Sequence, residues 1–151
     1  MKIGGKLLER HYQSMRMCIT AEDESSTFFG RMAGKVKNPG VSQIFQEFAA
    51  QSRRNFETLE EIYHGETPRR NEALLSLDED VVTTLKHHIV DEKNVVKLYN
   101  ALMEDPLLGW DLRVVFAKLV ADKKRQIDVV KVLVSSAEKR GSLREATVRH
   151  V

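Results

Sequence analysis

The chain has 151 residues, enough for one domain and too few for a second domain of ordinary size. Hydrophobic residues make up 42% of the chain and charged residues 30%, a balance typical of folded proteins and too apolar for a disordered one. The 24 basic and 22 acidic residues leave a net charge of +2, which does not indicate a nucleic-acid-binding surface. We therefore predict one domain over residues 1–151 with no nucleic-acid partner.

The sequence contains no feature of an exported or membrane-spanning protein. Its single cysteine, Cys18, excludes an internal disulfide and a four-cysteine metal site. The N-terminal residues contain no apolar run of the signal-peptide type, and no stretch approaches the roughly 18 consecutive apolar residues of a membrane helix. These observations predict a cytoplasmic protein that does not enter a membrane.

Prolines divide the chain into four segments. Each proline lies in a turn-like context, and the three are Pro39, Pro68 and Pro106. Within every segment apolar residues recur in steps of three and four, with no competing strand-like alternation. The predicted helices cover, in order, about residues 5–36, 41–64, 78–104 and 108–140. The residues expected to cap helix ends are Asp78, Gly65 and Gly141.

Four amphipathic helices in a chain of this length predict an all-α four-helix bundle. The connections around Pro39 and Pro106 are short, so each should join an antiparallel pair of helices. The connection over residues 65–77 reaches about 40 Å when extended, whereas a 25-residue helix is about 37 Å long. We therefore predict one long crossover between the two pairs. Trp110 is expected to plug one end of the bundle, and residues 139–151 are expected to form a flexible tail.

Six polar residues interrupt the apolar stripes near the middle of the helices, and they are Glu22, Ser52, Asn55, Glu92, Lys123 and Gln126. Buried charges are costly unless they are paired, so two inward carboxylates need either a cation or shared protons. The Lys123 ammonium would supply positive charge between Glu22 and Glu92, and the amide and hydroxyl side chains could complete the hydrogen bonds. The sequence therefore predicts a polar or ionic network at mid-bundle.

The second segment contains Phe45-Gln46-Glu47-Phe48-Ala49 and then Phe56-Glu57-Thr58-Leu59-Glu60-Glu61-Ile62-Tyr63. It resembles helix B of the rubrerythrin-like branch of the ferritin superfamily. The segments around Glu22 and Glu92, each followed seven residues later by an aromatic residue, are similar to helices A and C. The resemblance spans about residues 8–137 and implies the ferritin-like form of the bundle. In that family a Glu from each of two helices and a Glu-x-x-His from each of the other two bind two irons.

By position, Glu22 and Glu92 match the two single glutamates of the family. The two Glu-x-x-His motifs fall on Ser52-Arg53-Arg54-Asn55 and on Lys123-Lys124-Arg125-Gln126, which contain none of those ligands. The resemblance therefore implies a degenerate rubrerythrin-like protein without a cofactor, with a structural or interaction role and an unknown protein partner. Because bundles of this superfamily often pair side by side, it also favours a homodimer.

An alternative interpretation keeps metal binding. His88 lies four residues before Glu92 on the same helix face, and together with Glu22 these residues would offer three metal ligands. The protein would then be a non-haem iron oxidoreductase with a non-standard ligand set. Asp91 or Asp122, which neighbour the central positions, would add a carboxylate if a helix were rotated slightly.

Overall fold

The computed structural model describes residues 7–63 and 80–149, with side chains described up to Arg140. These residues form no strand, so the protein is an all-α four-helix bundle, as the sequence predicts. A 3-10 turn over Glu9–His11 precedes the first helix. The helices are α1 (Tyr12–Lys35), α2 (Pro39–Ile62), α3 (Val81–Met103) and α4 (Trp110–Arg149).

The helices form two antiparallel pairs, in which α1 packs along α2 and α3 packs along α4. Hydrogen bonds between side chain and backbone show the direction of the first pair. Ser26 Oγ donates to the carbonyl of Ala49 at 3.0 Å, and Ser42 Oγ donates to the carbonyl of Ala33 at 2.7 Å. Since later residues of α1 meet earlier residues of α2, the two helices run in opposite directions.

The two helix pairs contact each other mainly through α1 and α3. In the second half of α1, Phe28 stacks on His88, and at its middle Glu22 accepts a hydrogen bond from Tyr99. Because α2 and α3 both run opposite to α1, they are parallel to each other. The end of α2 and the start of α3 therefore lie at opposite ends of the bundle. The predicted crossover between them, over residues 65–77, lies outside the described residues.

Side-chain caps fix the starts of two helices. Asn38 Oδ1 accepts hydrogen bonds from the backbone amides of Gly40 and Val41, at 2.9 and 3.2 Å, and Pro39 occupies the first helical position. Asp80 caps α3 by accepting from the amide of Val82 at 3.0 Å. The N-cap of α3 is thus Asp80 rather than the predicted Asp78, which lies outside the described residues.

Two predicted helix ends are wrong. The first α-helix begins at Tyr12 rather than near residue 5, since Leu8 has extended backbone angles. At the other end of the chain, α4 continues through Gly141 to Arg149. No described glycine has a positive φ, so Gly141 does not adopt the left-handed conformation that ends many helices. The prediction of a flexible tail over residues 139–151 stays a prediction.

Apolar side chains from all four helices fill the core, and the largest fully buried aromatic residues are Phe29, Phe45, Tyr99 and Phe116. The prediction that Trp110 plugs the bundle end is wrong, because this side chain is 76% exposed. Leu108 and Leu112 are buried there instead. No described helix is long and apolar enough to cross a membrane.

We expect Asn38→Ala to lower the free energy of unfolding by about 1 kcal/mol, because two amides at the start of α2 lose their acceptor. The measurement is chemical denaturation followed by circular dichroism. Asn38→Asp keeps an acceptor and should stay close to the wild type. Equal losses in both variants would contradict the assignment of Asn38 as the cap.

Candidate functional site

The Lys123 side chain lies at the centre of the bundle, and its exposed fraction is 0%. Its Nζ lies 3.0 Å from Glu22 Oε2 on α1 and 2.8 Å from Glu92 Oε2 on α3. Moving an ammonium or a carboxylate out of water costs several kcal/mol per ion, so such groups stay charged in a core only when they are well paired. One cation from α4 therefore compensates carboxylates from two other helices.

Hydroxyl and amide groups extend this centre to α2. Lys123 Nζ donates a hydrogen bond to Ser25 Oγ at 3.3 Å, and Ser25 and Ser52 share a hydrogen bond of 3.1 Å between their hydroxyls. Gln126 Nε2 donates to Gln51 Oε1 at 2.8 Å and to Ser52 Oγ at 3.4 Å. The network thus joins all four helices, and α2 contributes only uncharged groups to it.

Tyr99 completes the surroundings of Glu22. Its hydroxyl donates to Glu22 Oε1 at 2.9 Å, while the other oxygen of that carboxyl faces Lys123. Burial raises the pKa of Tyr99 well above its usual value, so the phenol keeps its proton. Sequence reasoning placed Tyr99 on an apolar stripe and missed its hydrogen bond. Tyr99 follows the core residue Glu92 by seven positions, and this spacing is the sequence feature that could have indicated a polar contact.

The two carboxyl groups titrate differently. Burial raises the pKa of Glu22, and the attraction of Lys123 only partly offsets this effect. Burial also tends to raise the pKa of Glu92. The attraction of Lys123 and His88 outweighs burial, so the pKa of Glu92 is lowered. Burial would lower the pKa of Lys123, yet the two carboxylates outweigh burial and raise it. Glu92 and Lys123 therefore form the charged pair, and Glu22 is the carboxyl that takes up a proton more readily.

His88 lies one helical turn before Glu92 on α3, with its Nε2 3.3 Å from Glu92 Oε1. The ring stacks on Phe28 at 3.9 Å between centroids and contacts the edge of Phe29 at 4.8 Å. Burial lowers the pKa of His88 from 6.5 to about 4, although the negative charge of Glu92 opposes this change. Near pH 7 the imidazole is therefore neutral.

Several buried polar atoms around this centre have no well-aligned hydrogen-bond partner among the described residues. Nζ approaches both glutamates at ion-pair distance, but these contacts are not aligned as hydrogen bonds. Most buried polar atoms in native proteins are satisfied, so such a concentration at one place is unusual. The atoms are Glu22 Oε2, Asn55 Nδ2, His88 Nε2, Glu92 Oε2 and Gln126 Oε1.

The residues present do not fit a di-iron centre. Glu22 and Glu92 face an ammonium, and the Glu-x-x-His positions of α2 and α4 offer neither carboxylate nor imidazole. In the part of the chain that the structure describes, no three His, Cys, Asp or Glu residues are grouped so that they could hold a metal ion. Asp91 is exposed and Asp122 is half-buried, and neither contacts Lys123.

No protein-family model, curated protein or solved structure matches this chain. The class of the protein is therefore described from its fold and its buried polar centre. It is an all-α four-helix bundle whose core contains a lysine held between two glutamates from different helices.

We expect Lys123→Met to lower the free energy of unfolding by about 3–5 kcal/mol at pH 7, because it leaves two buried carboxyls without their cation. Urea denaturation followed by circular dichroism measures this loss. Adding Glu22→Gln to Lys123→Met should recover part of it, since one of the two carboxyls is then removed.

Lys124→Met provides the matched control for this prediction. Lys124 is the exposed neighbour of Lys123, and its replacement should change the free energy of unfolding by less than about 0.5 kcal/mol. If both methionine variants were equally stable, the pairing of Lys123 with the glutamates would contribute nothing to folding.

We expect His88 to make the protein less stable in mild acid. Its pKa is about 4 in the folded protein, below the ordinary histidine value of 6.5, so folding favours the neutral ring. The stabilisation is complete above pH 6.5 and is lost as the pH falls towards 4, by an amount on the order of 3 kcal/mol. Unfolding free energies measured between pH 7.5 and about 5.5, where free carboxyls are still almost fully ionised, should therefore already decline.

The His88→Phe variant should flatten this pH dependence, because it keeps an aromatic ring beside Phe28 and removes the titrating group. A wild-type slope in His88→Phe would mean that another group causes the loss in acid.

Proposed function

We propose that this protein is a degenerate member of the rubrerythrin-like branch of the ferritin superfamily. In this proposal an ionic network replaces the di-iron centre, and the protein has a structural or interaction role rather than an enzymatic one. The observation that supports it is the position of the Lys123 ammonium, 3.0 and 2.8 Å from the two glutamates that match the family's single-glutamate ligands.

The charge of the centre fits this role. In a metal centre, cations offset the charge of the inward carboxylates, and here a covalently attached ammonium does so. An ammonium has no redox chemistry and offers no open coordination position to a substrate. The groups of the centre therefore join the helices to one another, and a neutral Tyr99 and a neutral His88 flank the charged pair.

An exposed apolar surface near the connection between α3 and α4 supports the interaction half of the proposal. Trp110 and Val114 lie one turn apart at the start of α4 and are 76% and 52% exposed, and the preceding Leu107 is 69% exposed. Tryptophan is enriched at protein interfaces. We propose that a protein partner, either another protein or a second copy of this chain, binds at this end of the bundle.

The single cysteine agrees with a cytoplasmic location within the same proposal. Cys18 is buried, and burial raises the pKa of its thiol to about 12. A thiol in this state is protonated and a poor nucleophile. Cys18 therefore belongs to the core and takes no part in chemistry.

The test is the metal content of the wild-type protein, expressed in iron-supplemented medium and purified without chelator or metal-binding tag. Elemental analysis should find less than about a tenth of a metal ion per chain, because the ammonium occupies the position between the carboxylates. The sample should remain fully helical by circular dichroism.

The opposite result would revive the oxidoreductase interpretation. About two irons per chain, lost in Glu22→Ala or Glu92→Ala, would mean that these glutamates bind iron with His88 as a further ligand. The ionic network would then describe only the metal-free protein, and the structural role would be wrong.

A further inference from the structure

The glutamates converge on one point of positive charge. Glu22 Oε2 and Glu92 Oε2 face the same Nζ at 3.0 and 2.8 Å, yet neither contact has the alignment of a hydrogen bond. Among the described residues, the ammonium donates a well-aligned hydrogen bond to Ser25 Oγ. An ammonium holds its partners along its N–H directions, whereas a metal ion attracts oxygens without such directions. Carboxylate oxygens from two different helices therefore face a single cation position.

Hydroxyl and amide groups belong to the same buried network as this point. Gln126 is 0% exposed and one turn after Lys123 on α4, and its Oε1 has no hydrogen-bond partner among the described residues. Ser25 Oγ lies 3.3 Å from Nζ and shares a hydrogen bond of 3.1 Å with Ser52 Oγ, to which Gln126 Nε2 donates at 3.4 Å. Carboxylate, amide and hydroxyl oxygens are the ligands that hard divalent cations such as Mn²⁺ and Mg²⁺ prefer.

Shortening the lysine side chain would free this position. Lys123→Ala removes the ammonium and three methylene groups, and it leaves a buried space between two carboxyls. Two carboxyls so close together must either share protons or bind another cation. In the wild type the tethered ammonium of Lys123 occupies the position between them.

From these contacts we infer that Glu22 and Glu92 form a cation-binding site whose resident cation is Lys123, and that this side chain excludes divalent metal ions. The inference rests on the proposed function and goes further, since it assigns to Lys123 the role of blocking a site that the other residues complete. Lys123→Ala binds one hard divalent cation between the two carboxylates.

The experiment is a titration of wild type and Lys123→Ala with MnCl₂, followed by the electron paramagnetic resonance of free Mn²⁺. Lys123→Ala should bind about one Mn²⁺ per chain, and its thermal midpoint should rise with Mn²⁺ concentration. The wild type should bind none and keep a constant midpoint. Absence of binding to a folded Lys123→Ala would overturn the inference.

Two variants test where the ion binds. Glu22→Gln combined with Lys123→Ala removes one of the two carboxylates and should weaken Mn²⁺ binding at least about tenfold. Lys123→Met fills the space with an apolar side chain and should bind no Mn²⁺. Equal binding by all three variants would place the ion elsewhere and would contradict the inference.

Ethylammonium chloride distinguishes a metal site from an ammonium site. If ethylammonium stabilised Lys123→Ala and Mn²⁺ did not, the site would be specific for ammonium and the inference would be wrong. If Lys123→Ala were unfolded without added ions, the same titration followed by circular dichroism would show whether Mn²⁺ restores the helices. Failure of Mn²⁺ to restore them would also overturn the inference.

The wild type separates the failure of this inference from that of the proposed function. Mn²⁺ or iron bound by the wild type would contradict both, since Lys123 would then not exclude metals. A wild type free of metal, together with a Lys123→Ala variant that binds none, would contradict the inference alone and leave the structural role in place.

Discussion

The positive charge of Lys123 must be compensated inside a core that water does not reach, and the packing of the helices depends on this constraint. The compensating carboxylates come from α1 and α3, and both lie within 3.0 Å of the ammonium. A slip of one turn along a helix moves a side chain by about 5.4 Å, which would break such a contact and leave a buried ion unpaired. The ion contacts therefore set the registers of α1, α3 and α4 relative to one another.

The two carboxyls share this cation unequally, and their neighbours account for the difference. Burial raises the pKa of Glu22 and the negative charge of Glu92 adds to this rise, while Lys123 and the hydrogen bond from Tyr99 offset it only in part. Glu92 lies against His88 and interacts more favourably with Lys123, so its pKa is lowered. Glu22 therefore takes up a proton more readily than Glu92, although both carboxyls face the same ammonium.

The sequence predicts the bundle well, because steps of three and four specify a helix face wherever they occur. The same spacing places six polar residues in the interior, and the structure buries all of them, with Lys123 between the two glutamates. Ser25, Gln51 and Tyr99 were not predicted as parts of the network, since their partners depend on how the helices pack. The exposure of Trp110 and the continuation of α4 through Gly141 were also missed, because tertiary contacts and local propensity leave no clear signal at helix ends.

A buried ion pair is a weak source of stability, since apolar side chains of the same volume can stabilise a core equally well. Its particular effect is on specificity. An apolar core tolerates alternative registers of the α1–α2 pair against the α3–α4 pair, because one aliphatic contact replaces another at little cost. A charged centre does not tolerate them, since Lys123 finds both carboxylates in one register only. The network thus favours a single arrangement of the two helix pairs.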